Sequence, residues 1–148
     1  MSLSRLPWRA IHDVVSRIRR TVFTVPRPDQ TLITTPLEVA AVADRLQQAA
    51  HFEDGWLMSY NYMGEDANLR RPAGTWTKDG REIQMQLHVR LFARDDGGTD
   101  LLVHYEPAPM QHPKLHLLGI GYSVAEAINR TTAVLEELSI GYSTHSSS

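Results

Sequence analysis

Between Arg81 and Pro107 the apolar residues fall on alternate positions, and no other part of the chain restricts the fold as strongly. Ile83, Met85, Leu87, Val89 and Leu91 occupy every second place. Successive Cβ atoms of an extended chain point to opposite sides, so these five share one face and predict a β-strand. Asp95-Asp96-Gly97-Gly98 supplies turn chemistry, because glycine reaches positive φ without steric cost. Leu101, Val103 and Tyr105 then alternate again, and the whole stretch predicts a hairpin.

A three-residue loop over Asp96-Gly97-Gly98, with a glycine in the left-handed bulge position, sets Asp95 opposite Thr99. That register pairs Ala93 with Leu101, Leu91 with Val103 and Val89 with Tyr105 on the apolar face. The polar face then carries Arg94 opposite Asp100, Phe92 opposite Leu102, Arg90 opposite His104 and His88 opposite Glu106. A slip of one residue would mix the two faces. The apolar face needs a cover, and the expected one is helical.

Helical spacing appears three times. Trp8, Ile11, Val15, Ile18 and Val22 form a stripe in residues 1–24, with Arg5, Arg9, Arg17, Arg19 and Arg20 mostly off it. Such a basic amphipathic helix can meet a membrane or phosphates, but its commoner use is to lie on its own domain with a solvated basic face. Thr35-Pro36-Leu37-Glu38 opens a second helix running to about Ala50, with Thr35 as cap and Pro36 at the first helical position. Ser123 to Glu126 is a further capping box. The helix after it places Val124, Ala127, Ile128, Thr131, Leu135 and Leu138 inward, and Gly141 can end it. Thr31–Thr35 and Trp56–Tyr62 read as strands, residues 63–74 as a long polar loop, and Thr75–Lys78 as a strand joined to the hairpin through Asp79-Gly80 in a type I′ turn. That turn sets Trp76 opposite Ile83.

The fold class that follows is α+β: a two-layer sandwich, mainly an antiparallel meander, with about three helices packed on one face. The 148 residues fit one domain. Residues 1–24 form its N-terminal helix, 25–140 its body and 141–148 a flexible polar tail.

Composition removes several classes of function. The chain has no cysteine, so disulfides and thiolate metal sites are excluded and a reducing interior suits it. No apolar run reaches the ~20 residues of a membrane span, and the first thirty residues lack the pattern of a secretory signal; a cytoplasmic location is expected. Residues 1–30 carry six Arg against two Asp, whereas the rest carries nine basic against fifteen acidic residues. An acidic body disfavours nucleic acid as a partner and leaves only a narrow contact through the five N-terminal arginines.

Two constellations could carry chemistry. His88, His104 and Glu106 lie on the polar face of the hairpin, and His112 and His116 follow with HxxxH spacing. Imidazole and carboxylate together suit zinc or another divalent transition metal, provided that residues 110–116 fold back over the hairpin. The plain alternative is a set of solvated histidines, and no cofactor is required by the motifs. The second constellation is Tyr60, Tyr62, Glu65, Asp66, Asn68, Arg70 and Arg71, aromatics beside charges that can bind a planar or anionic ligand. Its plain alternative is a loop pinned by carboxylate–Arg pairs. Gly119-Ile120-Gly121 before the last helix looks superficially like a phosphate loop, but no βαβ unit can follow it, and turn chemistry accounts for it.

No stretch carries the motif of a known family. The expected function is therefore a small non-catalytic binding or accessory protein that acts through a protein partner or self-association, with Phe92, Leu102, Arg90 and His104 on an outward sheet face as its surface. The alternatives are a small metal-dependent, hydrolase-like enzyme built on the His/Glu cluster, and a weak nucleic-acid contact through the N-terminal arginines.

Overall fold

A computed structural model describes residues 33–55 and 64–145. Over these residues the architecture is α+β, a six-stranded antiparallel open sheet with three helices. In chain order these are β1 (Ile33–Thr35), α1 (Val39–Ala49), β2 (Glu53–Asp54), β3 (Ala67–Lys78), β4 (Arg81–Ala93), β5 (Thr99–Pro107), α2 (Pro113–Leu117), α3 (Val124–Glu137) and β6 (Ser143–Thr144). The sheet order is β2-β3-β4-β5-β1-β6. No helix among the described residues is long and apolar enough to cross a membrane. The helix expected over 1–24 and the strand expected over 56–62 lie outside the described residues.

The alternating stretch is β4 and β5. Leu87, Val89 and Leu91 are fully buried, and they join Leu101 and Val103 in one core. Val42 and Leu46 of α1 and Ala127, Val134 and Leu135 of α3 belong to the same cluster. At roughly 1.5–3 kcal/mol for each large aliphatic side chain removed from water, this cluster is what commits the chain to its sheet.

The hairpin register differs from the expected one by two residues. Leu91 pairs with Leu101, Val89 with Val103, Leu87 with Tyr105, His88 with His104 and Gln86 with Glu106. The loop is Asp95-Asp96-Gly97, closed where the Arg94 N–H donates to Gly98 O at 2.9 Å and the Gly97 N–H donates to Arg94 O at 3.1 Å. Gly97, with φ 86°, takes the left-handed place. Gly98 serves another need: a Cβ there would lie 2.6 Å from the Thr35 carbonyl oxygen of β1. Two adjacent glycines offered two loops, and contact with β1 selects between them. An even slip keeps every side chain on its face, so the core survives the correction.

Three further expectations change. Residues 67–74, expected as loop, are the first part of β3 and pair with Gln86–Leu91. β4 is thirteen residues long, and its ladder recruits this polar segment against its low strand propensity. A bulge between Pro72 and Thr75, with Gly74 at φ 75°, absorbs the proline. Thr35 is buried in β1 opposite Thr99 and does not cap α1, whose N-cap Glu38 makes no side-chain cap hydrogen bond. Finally, α3 ends on Ser139, which has φ 55°, and the Ile140 N–H reaches back to Leu135 O at 2.8 Å. This is a six-to-one closure with serine in place of the expected Gly141. Val124 is exposed, whereas the Ser123 hydroxyl does accept the Glu126 N–H at 3.2 Å. Trp76 pairs with Ile83 across a turn in which Asp79 and Gly80 both have positive φ.

The largest departure is on the second face of the sheet. His88, Arg90, Phe92 and Glu106, expected to look outward, are buried, and so is Gln86 on the same face. Residues of the 109–122 segment, including Pro113 and Leu117 of α2, border the space above them. In that segment Gly121 (φ 85°) lies so close to the Trp76 ring that a Cβ would be 2.6 Å from it. The glycine pair is thus packing and turn chemistry.

Candidate metal and small-molecule site

The even positions of β4 place Gln86, His88 and Arg90 on the face opposite the core, and those of β5 add His104 and Glu106. Arg70 of β3 stands beside His88 on the other side. With Tyr122 and the 109–117 segment as its roof, this face encloses a cavity of about 350 Å³. Its floor is ionic and its roof, built from Pro109, Pro113 and Leu117, is apolar.

His88, His104 and Glu106 each present a ligand atom within 4.8 Å of the other two. His88 Nδ1 lies 3.1 Å from Glu106 Oε1, and the Gln86 amide donates to the same oxygen at 2.8 Å. His88 Nε2 lies 2.7 Å from Asn68 Oδ1, and the Asn68 amide donates to Glu65 Oε1 at 2.9 Å. Arg90 Nε sits 3.4 Å from Glu65 Oε1, while Arg90 Nη1 is 3.5 Å from His104 Nδ1. Asn68, Gln86, His88, Glu65 and Glu106 are thus linked in one hydrogen-bonded chain, which fixes these side chains before anything binds.

Electrostatics follow from burial. Burial pushes the His88 imidazole below its ordinary value, against the opposing pull of its bond to Glu106. Burial also takes His104 down to about 4 although the Glu106 charge opposes it. Burial alone would raise Glu106, but hydrogen bonds from His88 and Gln86 and the charge of His88 outweigh it and hold this carboxyl at about 2. Burial and the Glu106 charge raise the Tyr122 phenol. At neutral pH the floor thus carries neutral imidazoles beside an ionised carboxylate, the protonation states in which these groups ligate metals.

One contact brings two acceptors together. The Asn68 amide donates to Glu65, so its carbonyl faces His88 Nε2 and calls for the imidazole proton there. A neutral His88 then turns the lone pair of Nδ1 toward the Glu106 carboxylate at 3.1 Å. Two acceptors at that distance repel unless a second proton or a metal ion lies between them. Ligand atoms of one metal with ~2.1 Å bonds stand about 3.0–3.4 Å apart in octahedral or tetrahedral geometry; the His88–Glu106 pair has that spacing, and the His104 ligand atom lies within 4.8 Å of both.

Of the other expected ligands, His116 has Nδ1 3.8 Å from Glu106 Oε1 and 3.1 Å from Pro107 O. His112 is elsewhere, its Nε2 accepting the Gln84 N–H at 3.0 Å. The described charged residues of the second constellation go to separate partners. Asp66 accepts the Ala93 N–H at 2.7 Å, Arg71 donates to Ala50 O at 3.0 Å beside the Phe52 ring, and Glu65 is buried under Arg90. Among the described residues of this set, Arg70 is the one that lines the cavity. Tyr60, Tyr62 and Arg5, Arg9, Arg17, Arg19 and Arg20 lie outside the described residues. Gln86 and Tyr122 belong to the site and were not anticipated. Gln86 shares the even face with His88 and was legible by parity, whereas Tyr122 arrives from a segment without periodicity.

No protein-family model, curated protein or solved structure matches this chain.

Proposed function

We propose that His88, His104 and Glu106 hold a divalent transition metal of the zinc class, and that the protein is a small metal-dependent enzyme, hydrolase-like in chemistry, acting on a molecule bound in the adjoining cavity. The observation that carries this reading is the pair of acceptors, His88 Nδ1 and Glu106 Oε1, held 3.1 Å apart at the base of the cavity. Zinc held by three protein ligands with a further position open would polarise a substrate oxygen and bring a bound water toward neutral pKa. The Asn68–Glu65 relay supports the reading, since ligating imidazoles commonly donate their other N–H to a carbonyl or carboxylate. His116 donates Nδ1–H to Pro107 O, which leaves Nε2 as the basic nitrogen of a residue lining the cavity. That nitrogen is suited to take up a proton from an attacking water.

The test is elemental analysis of protein purified without a His-tag, followed by zinc titration of the chelator-treated protein. One zinc per chain, lost in Glu106→Gln, is the expected result. Absence of stoichiometric metal under both conditions overturns the proposal.

A second reading, a binding protein that self-associates, draws on a different observation. Leu117, Leu118, Met110 and Val124 expose apolar side chains on and beside the roof, at 83, 61, 56 and 60 % of their surface. The face first expected to serve this purpose is buried at Phe92 and Arg90. A monomeric gel-filtration mass at high protein concentration would remove self-association.

A further inference from the structure

We infer that the cavity takes a small organic carboxylate with an apolar body, its carboxylate on the Arg70 guanidinium and its apolar part under the roof of Pro109, Pro113 and Leu117. This rests on the proposed metal, because without a cation the Glu106 carboxylate would repel an anion from the same space.

Three observations converge on that class. The first is the state of Arg70. Its Nε is buried without a hydrogen-bond partner among the described residues, and its ion pair to Glu53 is 3.7 Å long with that glutamate 71 % exposed. An exposed pair of this kind holds a guanidinium weakly. Arg90 Nε also lacks a hydrogen bond among the described residues, but its ion pair is to the buried Glu65 at 3.4 Å, and its Nη1 lies 3.5 Å from His104 Nδ1. Arg70 therefore has donors to offer at the cavity wall, in the planar fork that matches a carboxylate.

The second is the division of the cavity. Charged side chains of the sheet form one wall and apolar side chains of the 109–117 segment form the other. A small inorganic anion would use the first wall and leave the second wet. An uncharged apolar molecule would leave Arg70 unpaired. A molecule with both parts satisfies both walls.

The third is size. About 350 Å³ is at the small end of the ~300–1,000 Å³ of ligand cavities. A ring or short chain bearing one acid group fits within it.

The test uses the full chain loaded with zinc and titrated with four probes by calorimetry: benzoate, acetate, inorganic phosphate and benzyl alcohol. Benzoate is expected to bind at least about tenfold more tightly than acetate, from burial of its ring, and benzyl alcohol to bind weakly. Arg70→Gln should lower benzoate affinity at least about tenfold while zinc stoichiometry stays unchanged. Leu117→Ser, at a surface position that cannot unfold the core, should narrow the gap between benzoate and acetate.

Zinc bound with benzoate no tighter than acetate, or with Arg70→Gln as tight as the parent, overturns this inference and leaves the metal reading standing. Preference for phosphate over benzoate overturns it in favour of a phosphate ligand. A chain that takes up no zinc overturns the metal reading and this inference together, whether or not benzoate binds.

Discussion

Glu106 Oε1 contacts His88 Nδ1 at 3.1 Å although the residue directly across the ladder from Glu106 is Gln86. The contact is diagonal, one rung away on the same face. Gln86 fills the direct position and donates to the same oxygen at 2.8 Å, so a neutral amide anchors the carboxylate and His88 keeps its second nitrogen for Asn68. The site is built from a direct pair and a diagonal one, and both are needed to orient Glu106.

Removing the relay behind His88 should weaken the metal without removing a ligand. Asn68→Ala is expected to lower zinc affinity by about 10–100-fold, the usual cost of losing an outer-shell partner. Competition with a chromophoric chelator reads this directly. His88→Ala should lose more, and equal affinity in Asn68→Ala and the parent would refute the relay.

Acid should destabilise the metal-free protein in two stages. His104 titrates at about 4 in the native state against an ordinary 6.5, so between those pH values the unfolded chain binds a proton that the native chain does not. Stability therefore falls as pH drops through that window, by up to roughly 3 kcal/mol. Glu106, held at about 2 against 4.5, adds a second loss as pH falls below the upper of these values. Melting temperatures from pH 7 to pH 4 should decline, and His104→Asn should flatten the first stage.

The two acidic partners of arginine should differ sharply. Glu65 is buried beneath Arg90 at 3.4 Å, and Glu65→Ala leaves a buried guanidinium uncompensated, a loss of about 3–5 kcal/mol. Glu53 meets Arg70 from the solvent side, and Glu53→Ala should change stability by less than ~1 kcal/mol. Urea denaturation of both variants makes the comparison.

Adjacent glycines in the β4–β5 turn should fail for different reasons. Gly97→Ala strains a left-handed backbone (φ 86°) in open space and should cost about 1 kcal/mol. Gly98→Ala places a methyl 2.6 Å from the Thr35 carbonyl oxygen and must push β1 away from β5. Hydrogen exchange at Ile33–Thr35 should accelerate in the second variant and not in the first.

Much of the fold was legible because periodicity reports on burial. The alternation of Ile83 to Leu91 located β4 and its core face, and Ser123 with Glu126 located the start of α3. Residues 67–74 were not legible as strand, since their extended form comes from pairing with β4 and not from their own propensity. The site was legible in part. His88, His104 and Glu106 share parity, which is visible in sequence. Their enclosure is not, because it depends on residues 109–122, whose Pro, Gly and mixed apolar residues carry no period. Burial of the even face turned histidines that looked solvated into groups with displaced proton affinities.

The core and the site answer to different rules of alignment between β4 and β5. Interior packing asks only that odd positions meet odd positions, so a two-residue slip between the strands, at unchanged loop length, would slide one strand about 6.6 Å and still leave aliphatic against aliphatic. The same slide would carry Glu106 off Gln86 and His104 off His88, their present partners across the ladder. Register is therefore a setting that edits the chemistry of this scaffold while its fold stands, and the close approach of Gly98 to β1 holds it where the pocket has its present contents.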